Sequence, residues 1–232
     1  MAIAHSSLLS SLQGGLIVSC QAPPDSPLHD PEIMAAMAEA AVNRGAVGIR
    51  VDSPAHVRAI RQRLPEIPLI GLWKRVYTDS DVYITPQRHH AEAIAEAGAD
   101  IIALDATERP RPQGETLAEI VQWVQDTWAL PIMADIDSLK AAKVAQQLGI
   151  EIIGTTLYGY TAATAGQSPP AWELLQALVR DCPGFMICEG GISSPEMAQQ
   201  AIALGANAVV VGTAITGVDV LVQRYHQAIV GR

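Results

Sequence analysis

Two residues in this chain have the type and the setting for proton chemistry. Lys74 closes the apolar run LIGLW, and Glu189 closes FMIC just before Gly190 and Gly191. A lysine that ends a buried run must place its amine in the mouth of whatever that run builds or out past its rim. There burial lowers its pKa while a nearby carboxylate raises it. One member of such a pair can act as base while the other stays an acid or polariser, which suits proton transfer next to a carbonyl; a partly neutral lysine can also form an imine. The glycines add a second function. Gly190-Gly191 after one apolar run, and Gly212-Thr213 after the run AVVV, let the backbone approach a ligand without a Cβ in the way. N–H groups at a following helix start can hold an anion, so the two junctions read as a phosphate cradle.

In an eight-stranded parallel barrel that cradle is built from the loops after the last two strands, and catalytic groups come from the C-terminal ends of the strands. The remaining apolar runs supply the earlier strands. They are read at residues 15–21, 47–52, 69–74, 101–105, 132–135 and 152–157, followed by 185–188 and 208–211. Helical stretches alternate with them at 31–44, 53–64, 87–97, 115–127, 138–148 and 171–180, with Asp30 as N-cap and Pro31 at the first helical position of the earliest. The predicted fold is thus α/β, one (β/α)8 TIM barrel over residues 1–232 with a short N-terminal plug helix. Gly45, Gly98, Gly149 and Gly205 each stand between a helix and the next strand, where glycine is the ordinary helix end, so they are assigned to the bottom of the barrel. The stretch RVYTDSDVYITP is long for a barrel loop, and loops of that length shape active faces.

Polar residues crowd the predicted strand ends: Gln21, Arg50 with Asp52, Lys74, Asp105, Asp135 with Asp137, Thr155 with Thr156, Glu189 and Thr213. Asp52, Asp105 and Asp137 have a plainer reading as caps for the next helix, and Arg50 as a structural partner of a neighbouring carboxylate. Trp73 reads as packing. The composition narrows the field further. With 49% hydrophobic residues but one Phe, the core must be made of Ala, Val, Ile and Leu, as helices on a parallel sheet require. A formal charge of −9 offers no broad positive field for nucleic acid or an anionic membrane. Three cysteines without a C-x-x-C fit a reducing cytoplasm. The first residues lack the basic flank and long apolar core of a signal peptide or membrane span. The six histidines show no metal-ligand spacing, and no strand is followed by a dinucleotide or Walker fingerprint, so neither metal nor nucleotide is expected.

The motifs SCQA (19–22), GIR (48–50), GLWK (71–74), VYITP (82–86), ALDATERPRP (103–112), MADID (133–137), GTTLYGYT (154–161), CEGGI (188–192) and VVVGTAIT (209–216) run in order along the chain. Together they resemble the N-acetylmannosamine-6-phosphate 2-epimerases, enzymes of sialic-acid and amino-sugar catabolism. The resemblance implies a TIM barrel that inverts C2 of a sugar phosphate, taking N-acetylmannosamine 6-phosphate to N-acetylglucosamine 6-phosphate and back with no cofactor. It places Lys74 and Glu189 as catalytic groups, and Gln21, Arg50 and Asp135 on the sugar, with Thr156 in the same substrate-binding set. Gly190, Gly191, Gly212 and Thr213 fall on the phosphate loops. A homodimer is implied, and the helices carrying Trp123, Trp128 and Trp172 are the candidate contact faces.

Two basic residues that the resemblance leads one to expect are replaced by Gly191 and Gly217, which moves phosphate holding onto backbone amides or onto Arg50, Arg109 or Arg111. On this reading Gly191→Ala or Gly212→Ala crowds the anion and raises KM, whereas Gly217→Arg is accepted. The competing readings are another phosphate-binding barrel enzyme, such as a thiazole- or indole-pathway synthase or a lysine Schiff-base aldolase, and a sugar-phosphate sensor without catalysis. Retention of both Lys74 and Glu189 argues against the sensor.

Overall fold

A computed structural model describes residues 2–231. Eight parallel strands close on themselves in sequence order: β1 (Gly15–Cys20), β2 (Ala46–Asp52), β3 (Leu69–Leu72), β4 (Ile101–Asp105), β5 (Ile132–Asp135), β6 (Ile152–Gly154), β7 (Phe185–Glu189) and β8 (Ala208–Val211), with β8 paired back onto β1. Before them lies α1 (Ala2–Leu12). After β1 to β7 come α2 (Pro31–Val42), α3 (Pro54–Arg63), α4 (Arg88–Glu96), α5 (Leu117–Thr127), α6 (Leu139–Gln147), α7 (Trp172–Asp181) and α8 (Pro195–Ala203), and after β8 come α9 (Thr213–Thr216) and α10 (Val218–Val230). This is the expected (β/α)8 barrel.

The alternation of side chains along each strand divides the core in two. Outward residues such as Val18, Ile49, Leu69 and Leu104 pack against helix residues such as Met34, Val57, Ile60 and Ile94. Inward residues, among them Ile17, Ile70, Met133, Ile187 and Val210, fill the barrel itself. Leu12 at the end of α1 belongs to this inner set and is fully buried, with Leu8 and Leu9 packed beside it, so α1 plugs the bottom. Burying a leucine side chain contributes about 2 kcal/mol. Gly45, Gly98, Gly149 and Gly205 have φ of +100, +99, +82 and +101°, the left-handed helix ends that the sequence calls for.

The expected boundaries need three corrections. β3 stops at Leu72 because the next residues pair with the returning arm of the long excursion rather than with a barrel strand. Lys74 bridges Ile84 in antiparallel sense, and the Arg75 and Thr85 N–H groups donate to the carbonyls of Tyr83 and Trp73, each at 2.9 Å. The loop is therefore a hairpin folded over the mouth, with Ile84 buried in the barrel. β6 likewise ends at Gly154, three residues early, where the chain turns and Tyr158 N–H donates to the Thr155 carbonyl. The third correction concerns caps. Ser53, Thr116 and Ser138 cap α3, α5 and α6, which releases Asp52, Asp105 and Asp137 for other partners.

Candidate active site

The C-terminal ends of the strands gather the expected polar residues into one mouth. Arg50, on β2, is 1% exposed and crosses the barrel to Asp135 on β5, its Nη2 donating to Oδ2 at 2.7 Å. Arg50 Nε lies 3.2 Å from Glu189 Oε1 on β7, close enough for an ion pair, yet the N–H is off line and makes no hydrogen bond. That contact is Coulombic only. Burial by itself would lower the guanidinium's pKa, but the fields of Asp135 and Glu189 outweigh it and hold the pKa raised.

Thr156, just past β6, sits between the two carboxylates. Its hydroxyl is 2.6 Å from Asp135 Oδ1 and 3.1 Å from Glu189 Oε2. A hydroxyl has one proton to donate and lone pairs to accept with. The shorter contact takes that proton, and the longer one becomes a true hydrogen bond when Glu189 carries a proton of its own. Electrostatics lead to the same state: burial, with Asp135 adding to it, pushes Glu189 up to about 7 against the opposing pull of Arg50, the Thr156 hydroxyl and Lys74. Glu189 is held in place from behind, since its N–H and carbonyl both bond the Thr155 hydroxyl, at 3.0 and 2.9 Å.

Lys74 stands across the mouth. Its ammonium donates to Gln21 Oε1, and Gln21 Nε2 in turn donates to the Ser19 hydroxyl at 2.8 Å. Desolvation lowers the Lys74 pKa, Asp52 opposes that fall, and Arg50 adds to it. The lysine is packed among barrel side chains yet its amine is open to solvent through the mouth. Strands β3 and β7 are four apart in a closed ring of eight, so Lys74 and Glu189 approach the cavity from opposite walls.

The glycine junctions lie at the same end. Gly190 and Gly191 follow β7 directly with φ of +99 and +70°. Gly212 follows β8, and Ser19 Cβ would lie 3.3 Å from a Cβ added there, a tight but workable fit. The Thr216 hydroxyl of α9 donates to the Ser19 carbonyl at 2.7 Å, which ties this junction to the strand that leads into Gln21. Two expectations about substitutions fail on these contacts. A Cβ on Gly191 would lie 2.5 Å from the Pro169 carbonyl carbon, so alanine there displaces the neighbouring loop and is no clean probe of an anion. A Cβ on Gly217 would lie 2.8 Å from Thr213 Cα and O, so arginine cannot enter without moving α9. Arg109 and Arg111 are also spoken for. Arg109 pairs with Asp105 at 2.6 Å, and Arg111 is buried on the carbonyls of Asp105, Thr85 and Pro86.

Two further residues stand at the mouth: Tyr83, which lies outside the strand ends, and Asp52, which the sequence offers first as a helix cap. Tyr83, on the returning arm of the hairpin, packs half-buried against the barrel interior, where burial and the charges of Asp135 and Asp105 push its phenol up to about 12 and keep it a donor. Asp52 accepts the Lys74 backbone N–H at 2.8 Å. Among the described residues no group of three or more His, Cys, Asp or Glu side chains is placed to hold a metal ion, and no helix is long and apolar enough to cross a membrane.

A closed (β/α)8 barrel whose mouth sets a lysine opposite a neutralisable glutamate has the parts of an acid–base enzyme. Comparison with known proteins gives the class its family. The family model described as "Putative N-acetylmannosamine-6-phosphate epimerase" matches residues 34–231. Proteins of Synechococcus elongatus and Thermosynechococcus vestitus, named as 2-epimerases for that sugar phosphate with the same qualifier, are 61% and 54% identical over 97% and 96% of each chain. The solved N-acetylmannosamine-6-phosphate 2-epimerase from Clostridium perfringens superposes with a TM-score of 0.91 at 38% identity, covering 95% of this chain and 96% of that one. The chain belongs to the N-acetylmannosamine-6-phosphate epimerase family.

Proposed function

We propose that this protein is an isomerase that interconverts N-acetylmannosamine 6-phosphate and N-acetylglucosamine 6-phosphate by removing and returning the proton at C2. In the open-chain sugar C2 adjoins the C1 aldehyde, so losing its proton leaves an enolate whose negative charge donors in the mouth can stabilise. Inversion requires the proton to leave one face and a proton to arrive at the other. The observation that carries the reading is the pair of opposed groups: a lysine with a lowered pKa on one wall and a glutamate pushed up to about 7 on the other. In this reading Lys74 and Glu189 share one proton. For one epimer neutral Lys74 takes the C2 proton and protonated Glu189 supplies the opposite face; for the other, Glu189 takes it and Lys74 returns it. Gln21, Arg50, Asp135 and Thr156 orient the sugar, and backbone amides at Gly190, Gly191, Gly212 and Thr213 hold the phosphate. No cofactor enters these steps.

The test is an NMR time course with N-acetylmannosamine 6-phosphate, in which the C2 epimer is expected to accumulate. kcat/KM is expected to rise as the pH passes about 7, because below it both groups are protonated, and to fall again once both are deprotonated. Absence of interconversion, with borohydride trapping of substrate on Lys74, would replace this reading by imine chemistry.

We further propose that residues 1–232 act as one barrel domain, in the cytoplasm and as a homodimer. The support for a dimer lies in α10 rather than near the tryptophans, since Trp123, Trp128 and Trp172 are partly buried against the outer core. α10 has no buried residue, and Val218, Val222, Tyr225 and Ile229 expose 51, 62, 72 and 82% along one helical stripe. The same chain carries an open apolar groove of about 450 Å³ over β1 and β8, lined by Leu16, Ala198, Ile202, Val209, Val211 and Ile215. That is where a helix following β8 would pack in this fold. A stripe without a groove and a groove without a stripe suit an exchange of α10 between two copies. Sedimentation is expected to find dimers for the wild type and monomers for Tyr225→Glu/Ile229→Asp; a monomeric wild type at micromolar concentration would refute the exchange.

A further inference from the structure

At the end of β2 the chain makes a turn that ordinary helix entry does not require. Ser53 has φ +80°, a left-handed conformation that costs a residue with a Cβ on the order of 1 kcal/mol. The turn points Asp52 across to the neighbouring strand's end. There Asp52 Oδ1 accepts the Lys74 backbone N–H at 2.8 Å, a span of 22 residues, while Ser53 takes over the capping of α3. Behind the aspartate lies a fixed wall. The Asp52 carbonyl meets Nδ1 of buried His56 at 2.9 Å, the His56 ring stands edge-on to His29 with centroids 4.6 Å apart, and His29 Nδ1 is 3.1 Å from the carbonyl of Ala22, next to Gln21. Asp52 and Gln21 thus grip Lys74 from two sides, one at its backbone and the other at its amine.

We propose that Asp52 is a positioning residue for the proton transfer: it anchors the backbone of Lys74 and supplies the opposing charge that governs how readily the lysine gives up its proton. The inference rests on the assignment of Lys74 as the C2 base. The groups facing the lysine are Asp52 and Arg50 from β2, Asp135 from β5 and Glu189 from β7, and Asp52 is the leading one that favours the ammonium. Those facing Asp52 are Lys74, His56 and His29; burial raises the Asp52 pKa and Lys74 is the first charge to oppose that rise. An aspartate here sets the balance between the lysine's charged and neutral forms without the tight salt bridge that would keep its proton from the sugar.

Asp52→Asn keeps an oxygen for the backbone bond and removes the charge. Its high-pH limb of kcat/KM is expected to move to lower pH by about one unit, with KM within about threefold of wild type. Asp52→Glu keeps the charge and is expected to leave that limb in place. The proposal is overturned if the asparagine variant, folded by its circular dichroism, keeps the wild-type limb. A measurement on the wild type needs no variant and no substrate: with 13C-labelled lysine and aspartate, the Lys74 Cε resonance is expected to show a second inflection at the pH where Asp52 Cγ titrates. A single inflection would equally overturn it. Because this arm reads the lysine alone, its failure is separable from a failure of the epimerase reading, which would show as an inactive wild type.

Discussion

Lys74→Ala is expected to lose epimerisation and C2 hydrogen exchange together. In heavy water the wild-type product should carry deuterium at C2, because a group that trades protons with solvent between turnovers cannot return only the original hydrogen. Removing the amine leaves Gln21 and Asp52 at that wall, and neither replaces it: an amide has no useful basicity, and the Asp52 carboxylate is committed to the backbone. General acid–base groups contribute about 10² to 10⁴ in rate, and Lys74→Ala and Glu189→Gln should each fall by at least that factor. Arginine in place of Lys74 should not restore activity, since a guanidinium keeps its proton at working pH. A Lys74→Ala protein that still exchanged the C2 hydrogen near the wild-type rate would make this lysine a binding residue and leave the base to be found elsewhere.

Arg50→Leu is expected to have the largest effect on stability. Its guanidinium is the cation between Asp135, fully buried, and Glu189, whose side chain is 12% exposed. Leucine approximates its volume but leaves two carboxylates facing each other across Thr156. Breaking a buried pair by removing one partner costs about 3–5 kcal/mol, which for a chain of this size lowers Tm by roughly 10 °C. The pH dependence has a definite sign. Arg50 is the leading charge that opposes the upward push on Glu189, so without it Glu189 holds its proton to still higher pH than in the unfolded chain, and the deficit is small in acid and grows as the pH rises. Thermal melts at pH 5 and pH 8 check this; a loss that is equal at both, or absent at pH 8, would mean that the carboxylates find other compensation.

Much of the fold could be read from runs such as IIALD and AVVV, because a strand buried on both faces is a short apolar run with a polar residue where it emerges. That rule located Arg50, Lys74, Asp135 and Glu189 without any tertiary information. It gave position along the chain and nothing about reach. Whether Arg50 would turn to an adjacent strand or cross to β5 depends on the barrel's width and on Met133, whose Sδ accepts from Arg50 Nη1 at 3.3 Å. Caps were misassigned for a related reason: an aspartate and a serine side by side at a strand end are equally good caps by type, and the turn at Ser53 decides between them. Tyr83 stayed hidden because a tyrosine in a loop has no periodicity to betray it until the hairpin folds back. Gly217 looked replaceable because the crowding at Thr213 comes from packing within a single helical turn, which side-chain identity alone does not reveal.

The plug formed by Leu8, Leu9 and Leu12 gives the barrel the plumbing of a test tube rather than a pipe. With its floor sealed, sugar, product and solvent protons must all use one opening, and a bound sugar is its own stopper. Water can then refresh the shared proton chiefly while the tube stands empty. Isotope entering at C2 is set by what the enzyme held when the sugar closed it, so enzyme loaded with sugar before a rapid jump into heavy water should deliver protium in its first product and deuterium in those that follow.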